Sequence, residues 1–340
     1  MKKLISLFIT IFMLTTMSVK ASNIEVQPTM QSRSNAQDRV WVGTFQLVWN
    51  EFIFKFIHNP VRFREGTPQS AFDLNQQDFT TSDISEKCYY KYVGYIKKNT
   101  KQIISKAIKK KFKESSDILA QLNMTPGRDN FIIYTMLKKD FEFLHQFDKL
   151  GKSAFRNSQQ AEYFGINAKT DSRVRDEVQV LYYNNQNDFA IKLATKGNDE
   201  VYLYKNNANK SFNELYDNMQ YKTKNYKGDE NFNKADDLKV PNIKFDVLKS
   251  FDELTNKRIM GTNLMITQAL ESIKFDMNNK GVELKSEAAM IISRTSLAPE
   301  VETSKPRHFY LDDTFVIFLQ ENNKSKPYFA LRVHDITNYQ

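Results

Sequence analysis

A chain of 340 residues that is 41% hydrophobic and 26% charged can build an ordinary core, and this composition excludes a wholly disordered protein. The formal net charge of +9 is a mild excess, which favours anionic partners without indicating a nucleic-acid-binding protein. The single cysteine, Cys88, excludes an internal disulfide, and with only four histidines we expect no metal site and no cofactor.

The N-terminus has the pattern of a secretory signal peptide. Lys2 and Lys3 precede the apolar run Ile5–Met17, and the small residues around Ala21 fit the rule for cleavage after that position. A retained membrane anchor is the alternative. We expect residues 1–21 to be removed and residues 22–340 to form one monomeric domain without a membrane span. That domain would be exported to an extracellular or periplasmic location.

The first structured half is predicted to contain a long lysine-rich helix. Residues 40–63 are aromatic and apolar, which indicates a helix or strand with one buried face. The strongest helical periodicity covers Tyr92–Leu122 and ends at Thr125-Pro126-Gly127. Its polar side carries the candidate residues for polyanion binding, which are Lys106, Lys109, Lys110, Lys111 and Lys113. A merely solvated face is the alternative interpretation.

The second half is predicted to be rich in strands. Phe131–Leu137 is suited to a buried strand, residues 177–204 to two or three more, and residues 314–333 to a C-terminal hairpin. Residues 206–239 are polar and predicted to be a surface excursion, and residues 250–264 a helix ending near Gly261. Helices and strands that are segregated along the chain indicate an α+β fold with antiparallel pairing at the C-terminal end.

No catalytic motif is present in the sequence. A phosphate-binding glycine loop, the metalloprotease pattern His-Glu-x-x-His and the hydrolase pattern Gly-x-Ser-x-Gly are all missing. Cys88 has no motif around it and is interpreted as a structural thiol. Asp312 and Asp313 are adjacent beside a strand, where neighbouring side chains point to opposite faces. We therefore expect a protein that is not an enzyme.

About the last hundred residues resemble the serpin family in ordered pieces. The segment "HFYLDDTFVIFLQENNKSKPYFALRV" fits the family's Phe-x-x-Asp-x-Pro-Phe pattern, its apolar strand, its polar hairpin and its Phe-x-Gly-Arg-Val ending. The matching residues are Phe309, Asp312, Phe315, Phe318, Phe329, Arg332 and Val333. Upstream, "FDMNNKGVE" resembles the entry to the reactive-centre loop through Asn278, Gly281 and Glu283. The sequence departs from the family at Thr314, where Pro is usual, and at Leu331, where Gly is usual.

The resemblance is good from about Glu177, weak over residues 127–176 and nearly absent before, so the chain resembles a divergent, N-terminally shortened serpin. It implies helices packed on mixed and antiparallel sheets, with a long exposed reactive-centre loop at about residues 281–307. In the family, a target protease cleaves this loop. The N-terminal arm of the loop then inserts into the middle of a sheet as a new strand, and the protease remains trapped as an acyl-enzyme.

The arm of this loop is expected to begin with a hinge. The hinge residues are Gly281, Val282, Glu283, Leu284, Ser286 and Ala288. Alternation would turn Val282, Leu284, Ser286, Ala288 and Met290 inward and Glu283, Lys285 and Glu287 outward, which forces no charge into the core. Because Leu284, Lys285 and Glu287 interrupt the run of small residues typical of inhibitory members, insertion is expected to be slow. An ordinary edge strand that never moves also fits this pattern.

The resemblance leaves the cleavage site and the function open. The family's spacing from Gly281 places the scissile bond between Thr295 and Ser296, whereas Arg294 followed by Thr295 would suit a trypsin-like protease. The first hypothesis is a secreted inhibitor of serine or cysteine proteases that acts as a suicide substrate. The alternative is a non-inhibitory serpin-fold protein that uses the basic helix or a pocket to bind a ligand or an anionic surface.

Overall fold

The computed structural model describes residues 23–127, 130–156, 159–287 and 306–339, so the expected signal peptide lies outside the described residues. The helices are α1 (Thr44–Phe52, continued as a π-helix over Ile53–Ile57), α2 (Gln69–Leu74), α3 (Thr100–Phe112), α4 (Ser172–Arg175) and α5 (Phe212–Asn225). Short 3-10 turns cover Thr81–Asp83, Glu86–Cys88, Asp252–Leu254 and Ile336–Asn338. No helix within these ranges is both long enough and apolar enough to cross a membrane.

The strands account for most of the core. They are β1 (Glu25–Val26), β2 (Arg39–Val42), β3 (Tyr89–Tyr95), β4 (Phe131–Glu142), β5 (Asp148–Phe155), β6 (Gln159–Ile166), β7 (Val178–Asn185), β8 (Asp188–Leu193), β9 (Asp199–Lys205), β10 (Asp237–Pro241), β11 (Ile243–Ser250), β12 (Leu270–Asn278), β13 (Gly281–Ser286), β14 (His308–Tyr310), β15 (Phe315–Glu321) and β16 (Pro327–Val333).

Among the described residues these strands form three sheets. A seven-stranded sheet has the order β1-β2-β16-β15-β9-β8-β7, a five-stranded sheet the order β11-β12-β13-β4-β3, and a four-stranded sheet the order β14-β10-β6-β5. Most neighbours are antiparallel, but β1 and β2 are parallel, and so are β10 and β14. The expected α+β class with mixed and antiparallel sheets is therefore confirmed.

The helix α3 covers one face of the five-stranded sheet. Its buried residues Ile104 and Ile108 belong to a small apolar cluster that also contains Ile132, Tyr134 and Met136 of β4. The opposite face of the same sheet packs into the main core, which is shared with the other sheets. The five-stranded sheet is thus covered by the main core on one face and only in part by α3 on the other, so one face of its middle strand is shielded from water.

The strands predicted from alternation are present in the structure. Residues 177–204 contain β7, β8 and β9, and the C-terminal hairpin is formed by β15 and β16, which pair antiparallel. The buried run Phe131–Leu137 is the first part of β4. Alternating and β-branched residues predict strands reliably here because each strand buries at least one full face.

Three predictions from the sequence are wrong. The lysine-rich helix covers Thr100–Phe112 rather than Tyr92–Leu122. It begins later than predicted because the bulky residues of Tyr89–Tyr95 pair with β4 as a strand. The segment 250–264 contains one 3-10 turn instead of a helix. The polar excursion contains α5, whose N-terminus is closed by a capping box between Ser211 and Glu214.

Two isoleucines of α3 test how much this helix contributes to stability. Ile108 is fully buried against the sheet, whereas Ile103 is 41% exposed on the same helix. Ile108→Ala is expected to lower the free energy of unfolding by about 2–5 kcal/mol, because it leaves a cavity under the helix. Ile103→Ala is the matched control and should change it by less than about 0.5 kcal/mol. Urea unfolding followed by circular dichroism measures both, and equal losses would contradict the observed packing.

Candidate functional site

The expected hinge of the loop is the central strand of the five-stranded sheet. β13 runs antiparallel to β12 on one side and to β4 on the other, with Gly281 opposite Asn278 and Glu142. A Cβ atom at Gly281 would collide with the main-chain carbonyl of Phe141, so only glycine fits this position. The part of the predicted loop at residues 281–286 is therefore a strand rather than an exposed segment, because two ladders of backbone hydrogen bonds hold it.

The alternation of side chains along β13 agrees with the expected register. Val282, Leu284 and Ser286 are buried on the face that packs into the main core, whereas Glu283 is exposed on the other face. The remaining candidates, which are the hinge residue Ala288 and the scissile-bond residues Arg294, Thr295 and Ser296, lie outside the described residues.

The outward charges of the arm are covered instead of being solvated. Both Lys285 and Glu287 are buried, because residues 114–119 pass over this end of the strand. We call these residues the covering segment. The Lys285 ammonium lies 2.9 Å from a carboxylate oxygen of Asp117 and donates to the Ser115 carbonyl oxygen, also at 2.9 Å. Of the three outward charges, only Glu283 is exposed to solvent.

Glu287 makes the densest set of contacts with the covering segment. Its Oε1 accepts a hydrogen bond from the Asp117 amide at 2.7 Å, and its Oε2 accepts one from the Ser116 hydroxyl at 3.0 Å. The Tyr134 hydroxyl of β4 donates to the same Oε2. Burial raises the pKa of Glu287, and these three donors partly offset that rise. Two of the three residues that interrupt the small-residue pattern, Lys285 and Glu287, thus hold the arm to the covering segment.

A second carboxyl group lies below the same end of the arm. Ser286 and Thr44 of α1 share a hydrogen bond of 2.7 Å between their hydroxyls in the core. Glu271 of β12 points into this region, is completely buried and has no partner at hydrogen-bonding geometry among the described residues for either carboxylate oxygen. Burial raises the pKa of Glu271 to about 8, and the nearby Phe45 amide and Thr44 hydroxyl lower it only in part.

The contacts of the arm include residues that the sequence analysis did not single out. They are Thr44, the covering segment and Tyr134, and Glu271 lies beside Thr44 below the end of the arm. One of them, Glu271, could have been predicted from the sequence. In the strand "LESIKFDMN" the inward positions are Glu271, Ile273, Phe275 and Met277. A carboxyl group on an otherwise apolar alternating face marks a buried titratable residue. The covering segment carries no such pattern.

The five candidate lysines for polyanion binding lie together at the C-terminal end of α3. Lys106, Lys109, Lys110, Lys111 and Lys113 are all exposed. Within the described ranges none of them is at ion-pair distance from a carboxylate, and three of them donate to main-chain carbonyls, as in the 2.9 Å bond from Lys111 to Glu86. Cations at this end also complement the helix dipole, so the cluster has a structural reason as well.

The described residues contain no group of three or more histidine, cysteine or acidic side chains that could hold a metal ion. Cys88 is buried beside the core, and burial raises the pKa of its thiol to about 12, which keeps it protonated. It is therefore a poor nucleophile, in agreement with its interpretation as a structural thiol.

No family model and no curated protein matches the sequence. Solved serpin structures are similar to this structure. Serpin48, a highly specific serpin of the insect Tenebrio molitor, is 13% identical over 88% of this chain and 92% of its own, with a TM-score of 0.48. Cleaved Serpin 42Da is 13% identical over 69% of this chain and 64% of its own, with a TM-score of 0.47. A loop-inserted structure of a cleaved ovalbumin mutant is 9% identical over 74% of this chain and 76% of its own, with a TM-score of 0.45.

The buried carboxyl of Glu271 predicts a specific pH dependence of stability. Its folded pKa of about 8 lies above the ordinary value of 4.5, so folding takes up a proton between these values. The stabilisation is complete below about pH 4.5 and is lost as the pH rises through about 8. Glu271→Gln, which mimics the protonated acid, should match the wild type near pH 4.5 and exceed it at pH 9 by a few kcal/mol, on the order of 1.4 kcal/mol per pKa unit.

Urea unfolding at a series of pH values measures this difference. The exposed residue Glu283 on the neighbouring strand provides the control, because Glu283→Gln should leave the pH profile of the wild type unchanged. If the free energy of unfolding of Glu271→Gln changed with pH in parallel with that of the wild type, the Glu271 carboxyl would not have a raised pKa in the folded protein.

Proposed function

We propose that this chain is an exported serpin-like protein, not an enzyme, whose segment 281–307 is a reactive-centre loop cut by a serine or cysteine protease. The observation that carries the proposal is the register of β13. Six residues from the start of the segment fit between β12 and β4, with Val282, Leu284 and Ser286 turned into the core. This is the arrangement that an inserting arm requires, and the resemblance of residues 278–283 to a loop entry supports it.

The same register sets how much of the arm remains to be inserted. Because β13 is already paired on both sides, cleavage would release additional stability only from residues beyond Ser286. The contacts of Lys285 and Glu287 with the covering segment hold the arm where it is. We therefore propose slow inhibition with a modest gain in thermal stability after cleavage. Cleavage with no gain at all would indicate the non-inhibitory alternative.

Trypsin provides the direct test, because Arg294 suits its specificity. We expect an adduct with trypsin that survives SDS, and loss of that adduct in Arg294→Ala. Leu284→Arg, which places a charge at a fully buried position of the arm, should still be cleaved but should lower the adduct yield at least tenfold.

Glu283→Arg is the matched control for Leu284→Arg, because it introduces the same side chain on the exposed face of the same strand. It should retain the adduct. Cleavage of the wild type at Arg294 without any adduct and without a rise in melting temperature would exclude inhibition of trypsin-like proteases. Cleavage between Thr295 and Ser296 by a protease that prefers small residues would instead assign the scissile bond to the rival position.

A second candidate function is binding of an anionic polymer along α3. The observation that favours it is the cluster of five exposed lysines without a carboxylate partner among the described residues. Clustered cations on one face attract polyanions, and the attraction weakens as salt screens it. This function is compatible with a loop that is cleaved and with one that is not.

Charge reversal tests the polymer surface. The triple variant Lys106→Glu, Lys109→Glu and Lys110→Glu should elute from a heparin column at a clearly lower salt concentration than the wild type. Lys224→Glu, Lys227→Glu and Lys234→Glu change the net charge by the same amount at other exposed lysines and form the control. Equal shifts for the two triple variants would mean that only the net charge matters and that α3 is not a binding surface.

A further inference from the structure

Two arginines lie buried side by side next to the start of α5. Arg39 of β2 and Arg332 of β16 are each only 1% exposed, and they are directly opposite each other in the antiparallel ladder between these strands. Residues opposite each other in such a ladder project from the same face of the sheet. On this face the Arg39 guanidinium lies 5.4 Å from the ring centroid of Phe212, the first residue of α5. Two like charges are thus held together away from bulk water.

Each guanidinium group donates to main-chain carbonyls and keeps one donor unused. Arg39 Nη2 donates to the Lys210 carbonyl oxygen at 2.7 Å, and Arg332 Nη2 donates to the Asn207 carbonyl oxygen at 3.0 Å. Arg332 Nη1 donates to the carbonyl oxygen and to the side-chain oxygen of Gln37, at 2.6 Å and 3.0 Å. The Nε atoms of both arginines are buried and have no acceptor among the described residues. A charged donor that is buried without an acceptor is costly, so two of them on adjacent residues call for an explanation.

No carboxylate forms an ion pair with either arginine within the described part of the chain. Burial lowers the pKa of both arginines, to about 10 for Arg332, where the charge of Arg39 adds to the effect. The charges of Asp38 and Glu25 oppose this from beyond ion-pair distance. Glu25 is exposed, and Asp38 is buried but accepts instead from two main-chain amides and from the Tyr339 hydroxyl. Two buried positive charges therefore face one buried negative charge.

A polar cavity of about 430 Å³ lies next to the arginine pair. Its wall includes Lys210, whose carbonyl oxygen accepts from Arg39, and Ser211, the N-cap residue of α5. Arg33 and Glu214 also line the cavity and pair with each other at 3.0 Å, which leaves the Lys210 ammonium as the excess charge of the lining. The cavity is therefore net positive, and it brings solvent within one residue of the Arg39 guanidinium.

We propose that a chloride ion binds between Arg39 and Arg332 and accepts a hydrogen bond from the Nε atom of each. A spherical monovalent anion matches the single unused donor of each guanidinium and the single excess charge of the buried groups. Sulfate and phosphate fit less well, because an oxyanion prefers the paired donors of a guanidinium fork. In Arg332 both Nη atoms already donate to other oxygens. The ion would stabilise the contact between β2 and β16, whether or not the arm moves.

The melting temperature of the mature protein tests the proposal in mixtures of sodium chloride and sodium gluconate at constant ionic strength. Gluconate is too large to lie between two buried side chains. Because chloride would bind only the folded protein, replacing gluconate by about 0.2 M chloride should raise the melting temperature by at least about 2 °C along a saturating curve. Arg332→Met removes one donor and one charge and should abolish the rise. Arg62→Met removes an exposed arginine and, as the matched control, should keep it.

Anomalous diffraction from crystals soaked in sodium bromide locates the ion without any variant, because bromide replaces chloride and scatters anomalously. We expect a peak in contact with the Nε atoms of Arg39 and Arg332. A melting temperature that does not respond to chloride would overturn the proposal, and so would a response that a folded Arg332→Met retains. Bromide peaks found only elsewhere on the protein would overturn it as well. If Arg332→Met does not fold, the bromide peak decides.

Discussion

A strand in the middle of a sheet must satisfy two neighbouring ladders at the same time, and the rest of this structure depends on how β13 meets that constraint. Its backbone pairs with β12 and β4 in fixed register, which leaves no freedom in the direction of its side chains. Val282, Leu284 and Ser286 must face the core, and Glu283, Lys285 and Glu287 must face the other way. At the start of β13 only glycine fits at position 281, because a side chain there would collide with the backbone of β4.

Charged side chains on the second face become acceptable because another part of the chain covers them with matching groups. Asp117 neutralises Lys285, and the Asp117 amide, Ser116 and Tyr134 donate to Glu287. Such buried charges are tolerated only when nearly all of their hydrogen-bonding capacity is used. The same reasoning explains the pairing of Lys139 with Asp199 and Glu321 deeper in the core. The burial of Glu271 is tolerated for a different reason, because its raised pKa lets it stay protonated and neutral.

These contacts bear on the two functions proposed for the chain. An arm that must move quickly should have few specific interactions outside the ladder, because each one has to break before the strand can slide or extend. Here the outward side chains are bonded to a segment that belongs to the α3–β4 connection. The cost of disrupting them opposes rapid insertion, which favours a slow inhibitor or a protein whose arm is a permanent strand. Binding of an anionic polymer at α3 requires no such movement.

The sequence by itself determined the strands that bury a regular face, including β4, β7 to β9, β15 and β16, and the inward and outward alternation of residues 282–286. It did so because alternation is a local property that survives without knowledge of the neighbours. The bounds predicted for α3 were wrong at both ends, and α5 was missed because its capping box and its three buried apolar side chains lie among polar residues. Tertiary structure alone decided that the arm lies between β12 and β4 and that residues 114–119 cover Lys285 and Glu287. Each of these contacts joins segments that are far apart in the chain. Such contacts could not be predicted from the sequence, because they produce no periodic pattern of residues in either segment.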